Sequence, residues 1–405
     1  MLPTLYQKVL EKHLNEKQNL TVQLLILMVQ SFRQVKLSTL ASVFPQPISY
    51  ESRLRNLQRF LVLPQWNVKL LWFPIVKYWL RQEYNGERLN REQRRRRKKL
   101  KFSDSGHILL VIDRTQWKER NLMVVSIIWG KHALPVYWEL IGKKGSSNLS
   151  FQKKVLQPVL KLIKPYPVIV IGDREFHSAK LGMWLRLRRV DFILRQKKST
   201  CIQQKSLNYQ ALKSQGFQPV DTQFIEDITC NKEQNLSPFN LAVRWKKTYR
   251  GKQHKAPWYL LTSLPTLEKT LTVYRARWGI ETLFKDCKTG GYNLEQTRVN
   301  STRLLALVLL IAFAYTLSTL TGYSLKYTPL SIYVTPTHKA QEQIEPHHSH
   351  FTMGLLTYAW VNAMTLWSEL AHSLINLKGN KSLSFQRGFK ALSQLQQELE
   401  PYCHP

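Results

Sequence analysis

The chain has 405 residues, 43 % of them hydrophobic, enough to fill at least one large core, which excludes a disordered chain. Against 26 Asp and Glu stand 60 Lys and Arg, a formal charge of +34 that repels itself unless a polyanion neutralises it. Nucleic acid is the natural partner. The same charge fits ribosomal proteins and membrane-surface binders, so it names a partner class and no activity. Cys201, Cys230, Cys287 and Cys403 are far apart and form no C-x-x-C pair, which argues against a zinc site and for a reducing interior. Residues 1–11 lack the apolar stretch of a signal peptide, so the expected compartment is the cytoplasm, at the nucleoid when DNA is bound.

Residues 1 to about 85 read as helical, with apolar periodicity at 20–32 and 54–63. Segments 38–44 and 51–61, separated by a turn holding Pro45 and Pro47, have helix-turn-helix proportions. Arg55 and Arg59 then project away from Leu54, Leu57 and Leu61, as in a recognition helix; a helical bundle with a solvated basic face fits equally well. Six successive cations, Arg94, Arg95, Arg96, Arg97, Lys98 and Lys99, cannot pack and mark a linker free to contact phosphates.

From His107 the pattern turns to strands. Apolar runs at 108–112, 122–129 and 133–141, the last two joined across Gly130, are followed by a helix at 149–163. Ser146, Ser147 or Asn148 caps that helix, and Pro158 should kink or divide it. A buried strand at 167–171, a helix at 175–188 and a strand at 190–195 complete the order β, β, β, α, β, α, β. Residues 197–257 are polar and loop-rich with strand-like pieces, an insertion before a strand at 258–261 and an apolar helix at 303–320. The apolar run 304–317 is too short for a membrane span and reads as a core helix. Residues 323–350 are irregular, and 351–400 return to helices. His347, His348 and His350 read as a solvated loop, because no more distant His or Cys completes a metal site.

Two features carry chemistry. Asp113 and Asp173 each follow an apolar strand, and carboxylates at neighbouring strand ends converge where open α/β sheets place their sites. Tyr274, Arg277, Glu281 and Lys288 are spaced so that a helix over 272–288 projects all four from one face. Its flank, with Val273, Ala276, Ile280, Leu283, Phe284 and Cys287, faces a core. Adjacent carboxylates repel unless a divalent cation lies between them, and Mg²⁺ suits an all-oxygen set that Glu281 completes. Two such ions, about 3.5–4 Å apart, serve in-line displacement at phosphorus. The competing readings are strand-end turn residues for the aspartates and an exposed, ion-paired face, with Lys285 four residues beyond Glu281, for the helix.

These residues resemble a family. Val111-Ile112-Asp113-Arg114-Thr115, Ile171-Gly172-Asp173-Arg174-Glu175-Phe176 and the Tyr-x2-Arg-x3-Glu-x6-Lys spacing look like the YREK-signature branch of the DDE insertion-sequence transposases, over residues 104–322. The resemblance implies a ribonuclease-H-like α/β core, a mixed sheet flanked by helices, with a mostly β insertion before the third acid and helical N- and C-terminal regions. It implies catalytic, metal-binding roles for Asp113, Asp173 and Glu281, with two Mg²⁺ ions for which Mn²⁺ substitutes. It gives phosphate contacts to Tyr274, Arg277 and Lys288. Trp258 is similar to the position whose indole stacks on a flipped base, an interaction of about 1–3 kcal/mol, although a Trp opening an apolar strand is also ordinary core.

The expected organisation is a helical DNA-binding domain at 1–90, a basic linker at 91–103, a catalytic domain at 104–196 and 258–322, the insertion at 197–257, and a helical region at 323–405 suited to dimerisation. The expected activity is metal-dependent hydrolysis and strand transfer at transposon ends, cut-and-paste through a hairpin. The partners are double-stranded DNA with terminal inverted repeats, target DNA and a second copy of the chain, with no membrane. A catalytically silent DNA-binding derivative and a ribonuclease-H-like nuclease are the alternatives.

Overall fold

The structure, a computed structural model, describes residues 2–84, 106–117, 119–142, 145–204, 207–230, 236–246, 248–249, 252–253, 257–340, 343–346, 348–366, 368–376 and 382–399. The expected basic linker at 91–103 lies outside them, as do His347 and Cys403. The chain divides into two compact units, Met1–Trp79 with Lys285–Pro405, and Leu80–Phe284.

The first unit opens with helices α1 (Thr4–His13), α2 (Glu16–Phe32), α3 (Leu37–Val43) and α4 (Tyr50–Phe60). Asn15 starts α2 with a reciprocal capping box, its side chain accepting from the Gln18 N–H while Gln18 accepts from its own. Arg53 ties the α3–α4 turn together by donating to the carbonyls of Ala41 at 2.8 Å and Gln46 at 3.3 Å. Arg55 and Arg59 are exposed on α4, while Leu57, Phe60 and Leu61 are buried. A π-helical turn, Val68–Trp72, then leads into α5 (Phe73–Tyr84), which spans the boundary between the units.

The second unit is built on one sheet, with ten strands among the described residues. Strands β1 (Ile108–Trp117), β2 (Arg120–Trp129) and β3 (His132–Ile141) form an antiparallel meander. Helix α6 (Leu149–Leu162) follows, begun by Asn148, whose side chain accepts from the Phe151 N–H at 2.9 Å; Pro158 does not divide it. Next come β4 (Val168–Gly172), α7 (Ala179–Arg186) and β5 (Asp191–Arg195). Because β4 lies parallel to both β1 and β5, the order across this part is β3-β2-β1-β4-β5, that of a ribonuclease-H-like sheet. Residues 108–112 of β1 and all of β4 are buried, the continuous apolar runs expected of central strands covered on both faces.

The insertion supplies β6 (Cys201–Gln204), β7 (Gln210–Ala211), β8 (Thr222–Cys230) and β9 (Leu236–Arg244), with a small hairpin of β10 (Thr248–Tyr249) and β11 (Lys252–Gln253). It is mostly β, as read, but it forms no separate sheet for its longer strands. Strand β12 (Trp258–Thr262) pairs antiparallel with β5 on one side and β9 on the other, so the main sheet runs on through β12-β9-β8-β6-β7. Helices α8 (Leu267–Arg275) and α9 (Trp278–Cys287) follow.

The first unit resumes with α10 (Ser301–Leu325), a 25-residue helix that is apolar all round. At that length the argument that it is too short to span a membrane fails. Its burial makes it a core helix: 89 % of its most apolar window lies inside the protein. The Trp66 indole N–H donates to the Ala306 carbonyl at 3.0 Å, and the Gln30 amide to the Ser318 hydroxyl at 3.3 Å. Where α10 crosses α11 (His350–Leu366), a methyl at Gly322 would strike the His350 carbonyl and one at Gly354 the Ser318 carbonyl, so glycine is needed for the approach. Residues between these helices form a 3₁₀ segment, Pro329–Tyr333, and a hairpin of β13 (Thr337–Ala340) and β14 (Gln343–Pro346), more order than the sequence suggested. Helices α12 (Ser368–Asn376) and α13 (Ser382–Leu399) end the described chain, with Leu392 and Leu395 buried beside Leu325, Met353 and Val361.

Candidate active site

Asp113 was read as the residue that ends its strand. It is instead the sixth residue of β1, which continues to Trp117, paired to β2 throughout, with Asp113 opposite Val124. What ends there is the neighbour. The last parallel pair is Ile112 with Gly172, so one step further the register sets Asp113 beside Asp173. Asp173 caps the 3₁₀ turn Arg174–Phe176, its side chain accepting from the Glu175 N–H at 2.8 Å. The long helix expected at 175–188 is therefore this turn followed by the shorter α7.

Glu281 arrives on α9, and here the expected single helix over 272–288 is corrected. The helix breaks at Ala276 and Arg277, where Ala276, Arg277, Gly279 and Ile280 donate to carbonyls three residues back, the tighter 3₁₀ pattern. The approach is close just after the break: a methyl on Gly279 would stand 3.0 Å from the His132 carbonyl group, so the start of α9 packs tightly against the start of β3. The single helix expected to carry the four signature residues is thus interrupted, although Arg277 still pairs with Glu281 and interacts with Tyr274. Tyr274 lies in α8 and is 3 % exposed, its ring edge-on to Trp258 with centroids 5.1 Å apart. Lys288 lies beyond the end of α9, in the other unit, where its ammonium is 3.5 Å from Glu295.

Arg277, at the break, joins the acids. Its guanidinium donates to Asp113 Oδ2 at 3.0 Å and to Glu281 Oε1, with only 13 % of the Asp113 and Arg277 side chains exposed. Burial pushes the Asp113 carboxyl up to about 7, and the Asp173 charge adds to the push; Arg277 and the Arg114 N–H oppose it, and Glu281 raises it further. Asp113 is thus subject to the fields of both other acids. Burial alone would lower the Arg277 pKa, but Tyr274, Asp113 and Glu281 together raise it. Burial likewise raises Tyr274, against Arg277 and Arg195.

Among the described residues no three His, Cys, Asp or Glu are set to hold a metal ion as they stand, the histidines at 348 and 350 included. The donor set nevertheless fits one: oxygen-only ligands, two of them adjacent in register, with the Asp113 proton held more tightly by burial and by the Asp173 charge. Arg277 supplies the neutralising positive charge between Asp113 and Glu281.

Several residues not singled out in the sequence also belong here. Arg114 Nε donates to Glu175 Oε2 at 2.7 Å, and Glu175 Oε1 accepts from the Ser147 N–H at 3.0 Å and hydroxyl at 2.7 Å. The signal was present, since an arginine follows one aspartate and a glutamate stands two beyond the other. On the Asp173 side, a cavity of about 370 Å³ is lined by Arg174, Arg195, Lys197, Lys198, Pro257 and Tyr259. None of those four cations is paired with a carboxylate among the described residues. Burial lowers the Arg195 pKa, Tyr274 opposes that, and Arg174 and Arg277 lower it further, a crowding of cations that an incoming phosphate relieves.

A ribonuclease-H-like sheet that brings carboxylates together beside unpaired cations defines a class of phosphodiester-transferring enzymes. The family model of the Transposase DDE domain matches residues 104–317, more than half of the chain, and the chain belongs to that family. It is thus a DDE transposase by family, a nucleotidyl-transferring class that uses divalent metal ions. No curated protein matches it in sequence. Among solved structures it is similar to the piggyBac transposase in a cryo-EM synaptic complex with hairpin DNA, at 11 % identity and a TM-score of 0.39, over 91 % of this chain and 78 % of that one. That likeness is too distant to carry the fold, which rests on the strand order.

Proposed function

We propose that the protein is the transposase of an insertion sequence in the YREK branch of the DDE family, cutting at terminal inverted repeats and joining the freed ends to target DNA. The observation that carries the reading is the pairing of Asp113 and Glu281 with one arginine, Arg277, while Asp173 stands beside Asp113 at the end of a central strand of a ribonuclease-H-like sheet. Asp113, Asp173 and Glu281 would hold Mg²⁺, two ions with Mn²⁺ as a substitute, and these supply an activated water or 3′-hydroxyl and neutralise the leaving oxygen.

Everything else falls to the chain's own groups. Asp113, whose carboxyl burial and the Asp173 charge push up, must lose its proton to become a ligand. Arg277 must let go of Asp113 and Glu281, and its guanidinium then suits a DNA phosphate bidentately. Tyr274 adds an uncharged contact, and Lys288 a cation from the turn after α9. Arg174, Arg195, Lys197 and Lys198 offer the DNA backbone a positive wall beside Asp173. Trp258, packed edge-on against Tyr274, would stack on a base turned out of the duplex near the cut.

The helices of residues 1–90 and the basic arm at 91–103 take end recognition, residues 104–196 and 258–322 the chemistry, and residues 323–405 dimerisation that bridges two ends in the cytoplasm. The test is incubation with Mg²⁺ and a labelled duplex carrying the flanking inverted repeats. Nicks, hairpins and joined products in the wild type, all lost in Asp113→Ala and Glu281→Ala, support the reading. Binding without cutting favours the silent derivative, and cutting without joining favours the nuclease.

A further inference from the structure

We propose that Arg114 and Glu175 are positioning residues that clamp the two aspartates so that each keeps one oxygen for the metal ion the pair would hold. The inference rests on the transposase reading above. The Arg114 backbone N–H donates to Asp113 Oδ1 at 2.7 Å, and the Glu175 backbone N–H donates to Asp173 Oδ1 at 2.8 Å. The side chains of the same two residues meet each other, Arg114 Nε to Glu175 Oε2 at 2.7 Å. Each member therefore holds one aspartate with its backbone and the other member with its side chain. One oxygen per aspartate is fixed, and the Oδ2 of Asp113 is the atom turned towards Arg277.

The clamp is itself braced. Glu175, 11 % exposed, is filled by Arg114 and by the Ser147 N–H and hydroxyl, while Arg114 also donates to the Asn121 side chain at 3.0 Å and the Gly145 carbonyl at 3.1 Å. Four hydrogen bonds thus tie the pair to β2 and to the loop before α6. With Oε2 bound by Arg114 and Oε1 by both Ser147 donors, Glu175 is kept from competing as a ligand although it stands two residues from Asp173. Outer partners that fix the orientation of ligating carboxylates typically change metal affinity 10–100-fold when removed.

The experiment is an electron paramagnetic resonance titration of the full chain with Mn²⁺, alongside circular dichroism and anisotropy binding of end DNA. Glu175→Gln should raise the Mn²⁺ dissociation constant about tenfold or more while end-DNA affinity stays within twofold, a split that a merely structural loss does not give. Ser147→Ala, which keeps the backbone N–H contact, should raise it by a few-fold and serves if Glu175→Gln does not fold. Arg114→Lys, which keeps the charge but not the fork, should resemble Glu175→Gln. Folded Glu175→Gln or Ser147→Ala with wild-type Mn²⁺ affinity overturns the clamp alone. A wild type whose Mn²⁺ binding is unchanged by Asp113→Asn and Asp173→Asn overturns the transposase site and the clamp with it.

Discussion

Asp286 sits 8 % exposed in the helical unit, with Tyr315 as hydrogen-bond donor at 3.5 Å. Burial pushes its carboxyl from 3.8 up to about 7, against the nearby Lys285 charge and the Tyr315 contact. Since the folded state holds the proton more tightly than the unfolded chain, its contribution to stability is full below pH 3.8 and is lost as pH rises towards 7. The whole shift corresponds to about 4 kcal/mol, and between pH 5 and pH 8 linkage gives a loss of about 2.7 kcal/mol. Asp286→Asn removes the titration and keeps the shape and an acceptor for Tyr315. The assay is urea unfolding followed by tryptophan fluorescence, with Trp66 and Trp72 buried in the same unit. Relative to the wild type, the variant should gain about 2–3 kcal/mol at pH 8 over its standing at pH 5. A stability difference independent of pH would refute the reasoning, because it would mean that Asp286 ionises in the folded protein as it does in the unfolded chain.

Three further outcomes follow from the structure. Arg277→Ala should tighten Mn²⁺ binding to the DNA-free chain about tenfold, as expected for removing one cation in contact with two partly buried carboxylates, and weaker binding in the titration would contradict its placement. Apparent Mn²⁺ affinity of the wild type should rise about tenfold per pH unit from pH 5 to 7 and level off above, since Asp113 must lose its proton; a flat titration series would contradict the raised carboxyl. Gly354→Ala, which drives a methyl into the Ser318 carbonyl where α10 and α11 cross, should cost about 1–3 kcal/mol in denaturant unfolding, and an unchanged midpoint would mean that the helices cross elsewhere.

Local pattern made much of this legible. The apolar runs before Asp113 and Asp173 marked β1 and β4, and a capping residue before residue 149 marked α6, because burial and backbone satisfaction act over a few residues. The break at Arg277 is not legible, since Val273, Ala276 and Ile280 keep helical periodicity across it, and the tight approach of Gly279 to His132 just beyond it joins residues 147 apart in sequence. Tyr274 illustrates the same limit. Its spacing places it with Arg277 and Glu281, yet its ring belongs to Trp258 and the core. Asp113 follows the apolar run but does not end its strand: the run of hydrophobic residues stops where β4 stops, while β1 continues to Trp117 paired to β2. The Arg114–Glu175 pair joins two elements 61 residues apart, and its meaning needs the parallel register of β1 and β4.

The most direct test of the central claim is a metal-specificity switch. In Asp173→Cys a thiolate replaces a carboxylate, a softer ligand that Mg²⁺ accepts poorly and Mn²⁺ accepts better. Single-turnover cutting of the labelled end duplex should fall by orders of magnitude in Mg²⁺ and recover in Mn²⁺, by far more than Mn²⁺ stimulates the wild type. An Asp173→Cys enzyme as active in Mg²⁺ as the wild type would contradict the claim that Asp173 holds the metal at which the phosphodiester reacts.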